Sequence, residues 1–174
     1  DFESCQKAID AGFTSVMIDA SNKVLEENIN ETIKVVQYAN EHGVSVEAEL
    51  GSLGTDDEKT DESDYAYCEV QDCIEFTSET GIDSLAPAIG NAHGIYKGEP
   101  KLNFELLGTI CKEVKIPLVL HGASGLDDNK IKTAIFCGVA KININTDLQI
   151  AWANDMKKYI LENNEEYDPR KLIG

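Results

Sequence analysis

Four times along this chain a helical pattern closes on glycine and an apolar strand follows at once. Ala11-Gly12 precedes Phe13–Ile18, His42-Gly43 precedes Val44–Leu50, Thr80-Gly81 precedes Ile82–Ile89, and Cys137-Gly138 precedes Val139–Ile144. Glycine just past a helix is the usual left-handed cap, because it has no Cβ to clash. A fifth strand is expected at Pro117–Leu120, with proline at the strand start, where it is tolerated. Helices are expected at Leu25–Glu41, Cys68–Glu79, Phe104–Val114, Asp127–Phe136 and Thr146–Leu161, the last long and amphipathic. The strands are short and β-branched, with little polar alternation in Thr14–Ile18 and Pro117–Leu120. Strands buried on both faces have this character and belong to parallel sheets. The order predicts an α/β protein with right-handed crossovers.

Composition narrows the function classes. A chain of 174 residues, 42% hydrophobic and 27% charged, reads as one ordinary globular domain. Its 32 acidic against 15 basic residues give a net charge of −17. That argues against a nucleic-acid partner or an anionic membrane surface, both of which need clustered Lys and Arg. It leaves room for a small phosphorylated ligand in one local pocket. No apolar run approaches the roughly 18 residues of a membrane span, and Asp1-Phe2-Glu3 begins no signal peptide. The five cysteines (Cys5, Cys68, Cys73, Cys111, Cys137) are odd in number, widely spaced and without a CxxC. They read as reduced, mostly buried thiols of a cytoplasmic protein. Gly51–Asp64 is a long polar loop, nearly all charged from Asp56 to Asp64. It is either a solvated connection or an active-site lid that carries an acid.

The chemistry-bearing residues follow the strands. Strand one ends in Asp19 and strand two in Glu47-Ala48-Glu49. Strand three leads to Gly90-Asn91-Ala92-His93-Gly94, strand four to His121-Gly122-Ala123-Ser124-Gly125, and strand five to Asn143-Ile144-Asn145-Thr146-Asp147. The carboxyl ends of parallel strands are where such folds bind ligands. A lone histidine is more often structural. Two at successive strand ends, each followed by glycine, point to a metal or catalytic pair, imidazole being the commonest zinc-binding side chain. His42 is different: it precedes a capping glycine at the opposite end of the layer and suits the helix dipole. The Gly122–Ser124 and Asn143–Thr146 turns are candidate phosphate cradles of backbone N–H groups at helix starts, with Thr146 a candidate helix cap.

At these residues the sequence resembles the class II, metal-dependent fructose-bisphosphate aldolases and their tagatose-bisphosphate relatives. The likeness runs in order through 12–21, 45–51, 88–94, 117–125 and 141–147 and covers nearly the whole chain. It implies a (β/α)8 TIM barrel of which residues 1–174 are a single partial domain, strands four to eight. It implies a zinc lyase that reversibly cleaves a ketose bisphosphate, fructose 1,6-bisphosphate with tagatose 1,6-bisphosphate as the alternative, into dihydroxyacetone phosphate and glyceraldehyde 3-phosphate. By resemblance His93 and His121 are two zinc ligands, Glu49 holds the metal in an alternative position, and Asp19 lies near a site for a second divalent or monovalent cation. Gly94, Gly122, Ala123, Ser124, Asn143, Ile144, Asn145 and Thr146 are the implied dihydroxyacetone phosphate contacts. Zinc would act as Lewis acid on the ketone and stabilise the enediolate. The family's remaining zinc histidine and its acid/base aspartate lie on a strand before the one ending in Asp19, so this segment alone is expected to be inactive. Loop 51–64 is the expected lid, with Asp57 or Glu58 as candidate lid acid. The resemblance also implies a role in carbohydrate metabolism and a homodimer or larger assembly of the full-length protein. A non-catalytic phosphate-binding barrel remnant is the competing reading.

Overall fold

The computed structural model describes residues 1–53 and 65–173. The elements are α1 (Phe2–Asp10), β1 (Ser15–Ile18), α2 (Leu25–His42), β2 (Ser45–Leu50), α3 (Val70–Thr80), β3 (Ser84–Pro87), α4 (Phe104–Glu113), β4 (Leu118–Leu120), α5 (Asp128–Phe136), β5 (Val139–Ile142), α6 (Thr146–Glu162) and α7 (Pro169–Ile173). The five strands form one parallel sheet in the order β1-β2-β3-β4-β5. Every expected strand and helix is present, and all strand carboxyl ends lie on one side. The candidate lid acids Asp57 and Glu58 lie outside the described residues.

The glycine junctions act as the sequence suggests. Gly43 and Gly81 cap α2 and α3 in the left-handed region, with φ of 67° and 68°. Strand ends differ from the apolar runs where a side chain claims the backbone. Ile89 was expected in β3, yet its N–H donates to Asn91 Oδ1 at 2.9 Å instead of to a neighbouring strand. The β4–β5 pairing carries a register shift: Leu118 faces Val139, but the next residue, Val119, faces Lys141, so Ala140 is bulged out. The unexpected α7 begins on Asp168-Pro169, where the Asp168 carboxylate accepts from Arg170 N–H and proline suits a first helical turn.

The two faces of β2 show what the sheet separates. Val46, Ala48 and Leu50 join the hydrophobic core with Val35, Phe76, Leu85, Leu107, Ile110, Leu118 and Leu120, on the helix side. Residues two apart share a face, so Glu47 and Glu49 project together from the other side. Both are buried, at 3% and 1% exposure, which is affordable only with polar partners. Cys5, Cys68 and Cys73 are buried, Cys111 and Cys137 half-buried, and all five are free thiols. The expected long helix α6 is present, but it buries no residue, and Leu148, Trp152 and Leu161 are 65%, 58% and 82% exposed. Leu148 and Trp152 share one face of α6 and Leu161 lies on the opposite one, while Ala153, Met156 and Tyr159 are half-buried. No helix among the described residues is long and apolar enough to cross a membrane.

Candidate active site

A cavity of about 530 Å³ opens at the carboxyl ends of the strands. Its walls are Met17 and Asp19 after β1, Glu49 from β2, His93 and Gly94 after β3, Gly122–Ser124 after β4 and Asn143–Thr146 after β5. Residues as far apart in sequence as Met17 and Thr146 thus line one cavity.

Glu49, His93 and His121 each offer a ligand atom, all within 4.8 Å of one another. The imidazole centroids are 6.0 Å apart. Two imidazoles and a carboxylate form a donor set that suits zinc, with space left for a further ligand. His93 is exposed to the cavity and His121 is buried. His121 Nδ1 lies 2.7 Å from Glu49 Oε2 and Nε2 lies 2.9 Å from Glu47 Oε1. Burial works against the charged imidazolium, but hydrogen bonds to Glu47 and Glu49 outweigh it and push the His121 pKa up to about 9. Burial would likewise raise the Glu47 carboxyl; hydrogen bonds from His121 and Lys141 reverse this and hold it below the usual carboxylate range.

Local structure explains how each group is held. Asn28, fully buried on α2, donates from Nδ2 to the Glu49 carbonyl at 3.0 Å and accepts from Thr32 Oγ1. Ser21 Oγ lies 2.7 Å from Asp19 Oδ1 and 3.1 Å from Glu49 Oε1, its one hydrogen serving one carboxylate at a time. Asp19 therefore lines the cavity beside the three-residue cluster without joining it. Asn91 donates from Nδ2 to the His121 carbonyl at 2.9 Å. The Tyr96 hydroxyl accepts from Ala92 N–H and donates to the Gly122 carbonyl, each at 2.9 Å, sewing the His93 turn to the His121 turn. Gly122 has φ of +63°, and a Cβ there would meet the Ala92 carbonyl oxygen at 2.2 Å.

One expectation about helix starts needs correction. Thr146 is not the cap of α6; Asn145 holds the N-cap position and makes no side-chain capping bond, because its backbone (φ −126°, ψ −54°) is not extended. In the helix after β4, Asp127 Oδ1 accepts from Asn129 and Lys130 N–H. The two candidate phosphate turns are tied to each other: Asp147 N–H donates to Ser124 Oγ, and Gly125 N–H donates to the Asp147 carboxylate, both at 3.2 Å. His42 ends α2 as expected, its Nδ1 2.8 Å from the Tyr38 carbonyl.

The supporting residues Asn28, Tyr96, Lys141 and the role of Glu47 escaped the sequence reading. For Glu47 a signal existed, its alternation with Glu49. For Lys141, which ion-pairs with Glu47 from three strands away, only the sheet order and register reveal it.

Comparison with known proteins places the chain. The family model described as "Fructose-bisphosphate aldolase class-II" matches residues 1–174. A fructose-bisphosphate aldolase of Staphylococcus aureus is 51% identical over 173 residues, covering 99% of this chain and 60% of that protein. A probable fructose-bisphosphate aldolase of Bacillus subtilis is 50% identical, covering 99% and 61%. Among solved structures, a putative fructose-1,6-biphosphate aldolase from Coccidioides immitis superposes with a TM-score of 0.81 at 35% identity, covering 99% of this chain and 61% of that one. The YdjI aldolase of Escherichia coli K12 gives 0.76 at 38% identity, covering 99% and 57%. The chain thus spans about 60% of the length of the curated relatives it matches. Parallel strands in sequential order, paired histidines at the ends of successive strands and a match along the whole chain converge on one assignment: this chain belongs to the class II fructose-bisphosphate aldolase family.

Proposed function

We propose that this chain carries the metal-binding and phosphate-binding side of a zinc-dependent lyase acting on fructose 1,6-bisphosphate. The observation that carries the reading is the clustering of Glu49, His93 and His121 in one cavity with the Gly122–Ser124 and Asn143–Thr146 turns. His93 and His121 would hold the zinc, with Glu49 as the alternative carboxylate ligand. Bound zinc supplies Lewis-acid polarisation of a ketone as the adjacent C–C bond breaks. Gly94, with open space where a Cβ would stand, lets a phosphorylated headgroup approach the backbone, and Gly122 is a further candidate contact. Ser124 Oγ accepts from Asp147 N–H, and its own hydrogen is available to a phosphate oxygen. The N-terminus of α6 adds positive potential at the same wall. Asn143, at the end of β5, reaches into the cavity to orient a substrate hydroxyl. Asp19 remains the candidate neighbour of a second cation, and Asp57 or Glu58 the candidate acid of lid 51–64.

By resemblance the acid/base aspartate and a further zinc histidine have no counterpart in this chain. The 174-residue chain alone is therefore expected to bind zinc and dihydroxyacetone phosphate without cleaving fructose 1,6-bisphosphate. Calorimetric titration of the chain with dihydroxyacetone phosphate, with and without Zn2+, tests this. Zinc-dependent binding that disappears in His93→Ala supports the reading. Indifference of the folded chain to zinc, or binding untouched by His93→Ala, would sink it. Measurable cleavage by the chain alone would refute the expected inactivity.

A further inference from the structure

Beside the Glu49, His93 and His121 cluster lies a buried carboxylate, Glu47, that the proposed chemistry does not use. Glu47 is 3% exposed, and its carboxylate is fully engaged. Oε1 lies 2.9 Å from His121 Nε2 and 3.1 Å from Asn143 Nδ2, while Oε2 ion-pairs with Lys141 Nζ. Asn143 Nδ2 also lies 3.0 Å from His121 Nε2. These three atoms form a triangle with only one consistent set of hydrogens. The amide nitrogen of Asn143 is a donor and cannot accept. If Nε2 were unprotonated, its lone pair would face the carboxylate. If Nε2 carries the proton, Glu47 Oε1 accepts from both Nε2–H and Asn143 N–H, and the two nitrogens are mere neighbours. On the far side of the same ring, Nδ1 faces Glu49, which belongs to the metal-competent cluster; Glu47 does not.

We propose that Glu47 is a positioning residue that fixes His121 as the Nε2–H tautomer and so presents Nδ1 to the metal. Lys141 and Asn143 hold the Glu47 carboxylate in place for that task. The proposal rests on the metal reading above and extends it. A carboxylate behind a metal-bound imidazole orients the ring and raises its basicity, and its loss typically lowers metal affinity roughly tenfold to hundredfold. Lys141 offsets the charge of a carboxylate that would otherwise be buried beside Glu49.

The chain has three histidines, so histidine-selective 15N labelling gives three assignable rings. Long-range 1H–15N spectra would be recorded before and after adding 113Cd2+ as a zinc surrogate, with His42→Gln and His93→Gln to assign the signals. The expected result is 113Cd coupling to Nδ1 of His121 with Nε2 still protonated. Coupling to Nε2 of His121 would overturn the inference and leave the metal site standing. No metal-induced change at either His93 or His121 would overturn both. In Glu47→Leu, cadmium affinity should fall roughly tenfold to hundredfold, and the unloaded ring, followed at a pH where it is neutral, should become a mixture of tautomers. Glu47→Gln, which restores an acceptor, should recover most of both. Unchanged affinity and tautomer in a folded Glu47→Leu variant would refute the role.

Discussion

At the residue scale the site is held by uncharged side chains more than by its own ligands. Tyr96 joins the two histidine turns through one hydroxyl. Removing that hydroxyl strands a donor and an acceptor, each costing about 1–3 kcal/mol when it is buried without a partner. Tyr96→Phe should therefore lower the urea midpoint and weaken zinc binding together; a normal midpoint would show that water replaces the hydroxyl. Gly122→Ala drives a Cβ into the Ala92 carbonyl at 2.2 Å from a backbone with φ of +63°. A residue forced into a conformation it cannot adopt loses more than about 1 kcal/mol. The expected outcome is a destabilised chain with a displaced His93 turn, readable by urea unfolding and by zinc titration. Sequence spoke clearly about His93, His121 and Glu49, because strand ends can be located from apolar runs and their glycine junctions. It was silent about Asn28 and Tyr96, whose partners lie 21 and 26 residues away across elements. A polar side chain that satisfies a distant backbone group leaves no local pattern.

At the element scale, helix starts and the parity of strands decide what reaches the cavity. Asn103 caps α4 by accepting from Leu106 N–H at 2.9 Å. Asn103→Ala should cost about 1 kcal/mol, measured by urea unfolding, and leave zinc affinity unchanged since α4 contributes no cavity wall. Phe76 on α3 is fully buried, and Phe76→Ala should cost about 3–5 kcal/mol, a large share of a small domain's stability. A loss below 1 kcal/mol would mean that α3 is not part of the cooperative core. The bulge at Ala140 shows where periodicity misleads. Val139 and Ile142 both pack toward the helices, while Lys141 reaches Glu47 and Asn143 reaches His121. Strict alternation cannot put residues 139 and 142 on one face. The extra residue absorbs the mismatch, so one short strand serves the core and the polar interior. The order of elements was legible because glycine and apolar runs mark it. The bulge was not, since it arises from pairing with β4.

At the scale of the whole molecule, β1 and β5 are the edges of the described sheet, and α6 exposes Leu148, Trp152 and Leu161. Exposed parallel edges and exposed apolar side chains favour association, whereas a net charge of −17 opposes it. Screening should tip the balance, since the Debye length falls from about 10 Å at 0.1 M salt to about 3 Å at 1 M. Sedimentation of the chain is expected to show self-association that rises with salt; a monomer at every salt concentration would count against it. The sheet order also bears on how the molecule is assembled. Each strand pairs with the one before it in sequence, so synthesis can add the layers in turn, early units docking before later ones exist. Glu49, His93 and His121 are all present once β4 has docked, but Lys141 arrives only with β5. Until then Glu47 and Glu49 form a crowded pair of negative charges with only His121 between them. Docking of β5 therefore delivers the counter-charge that completes this polar interior, after the Glu49, His93 and His121 cluster has already come together.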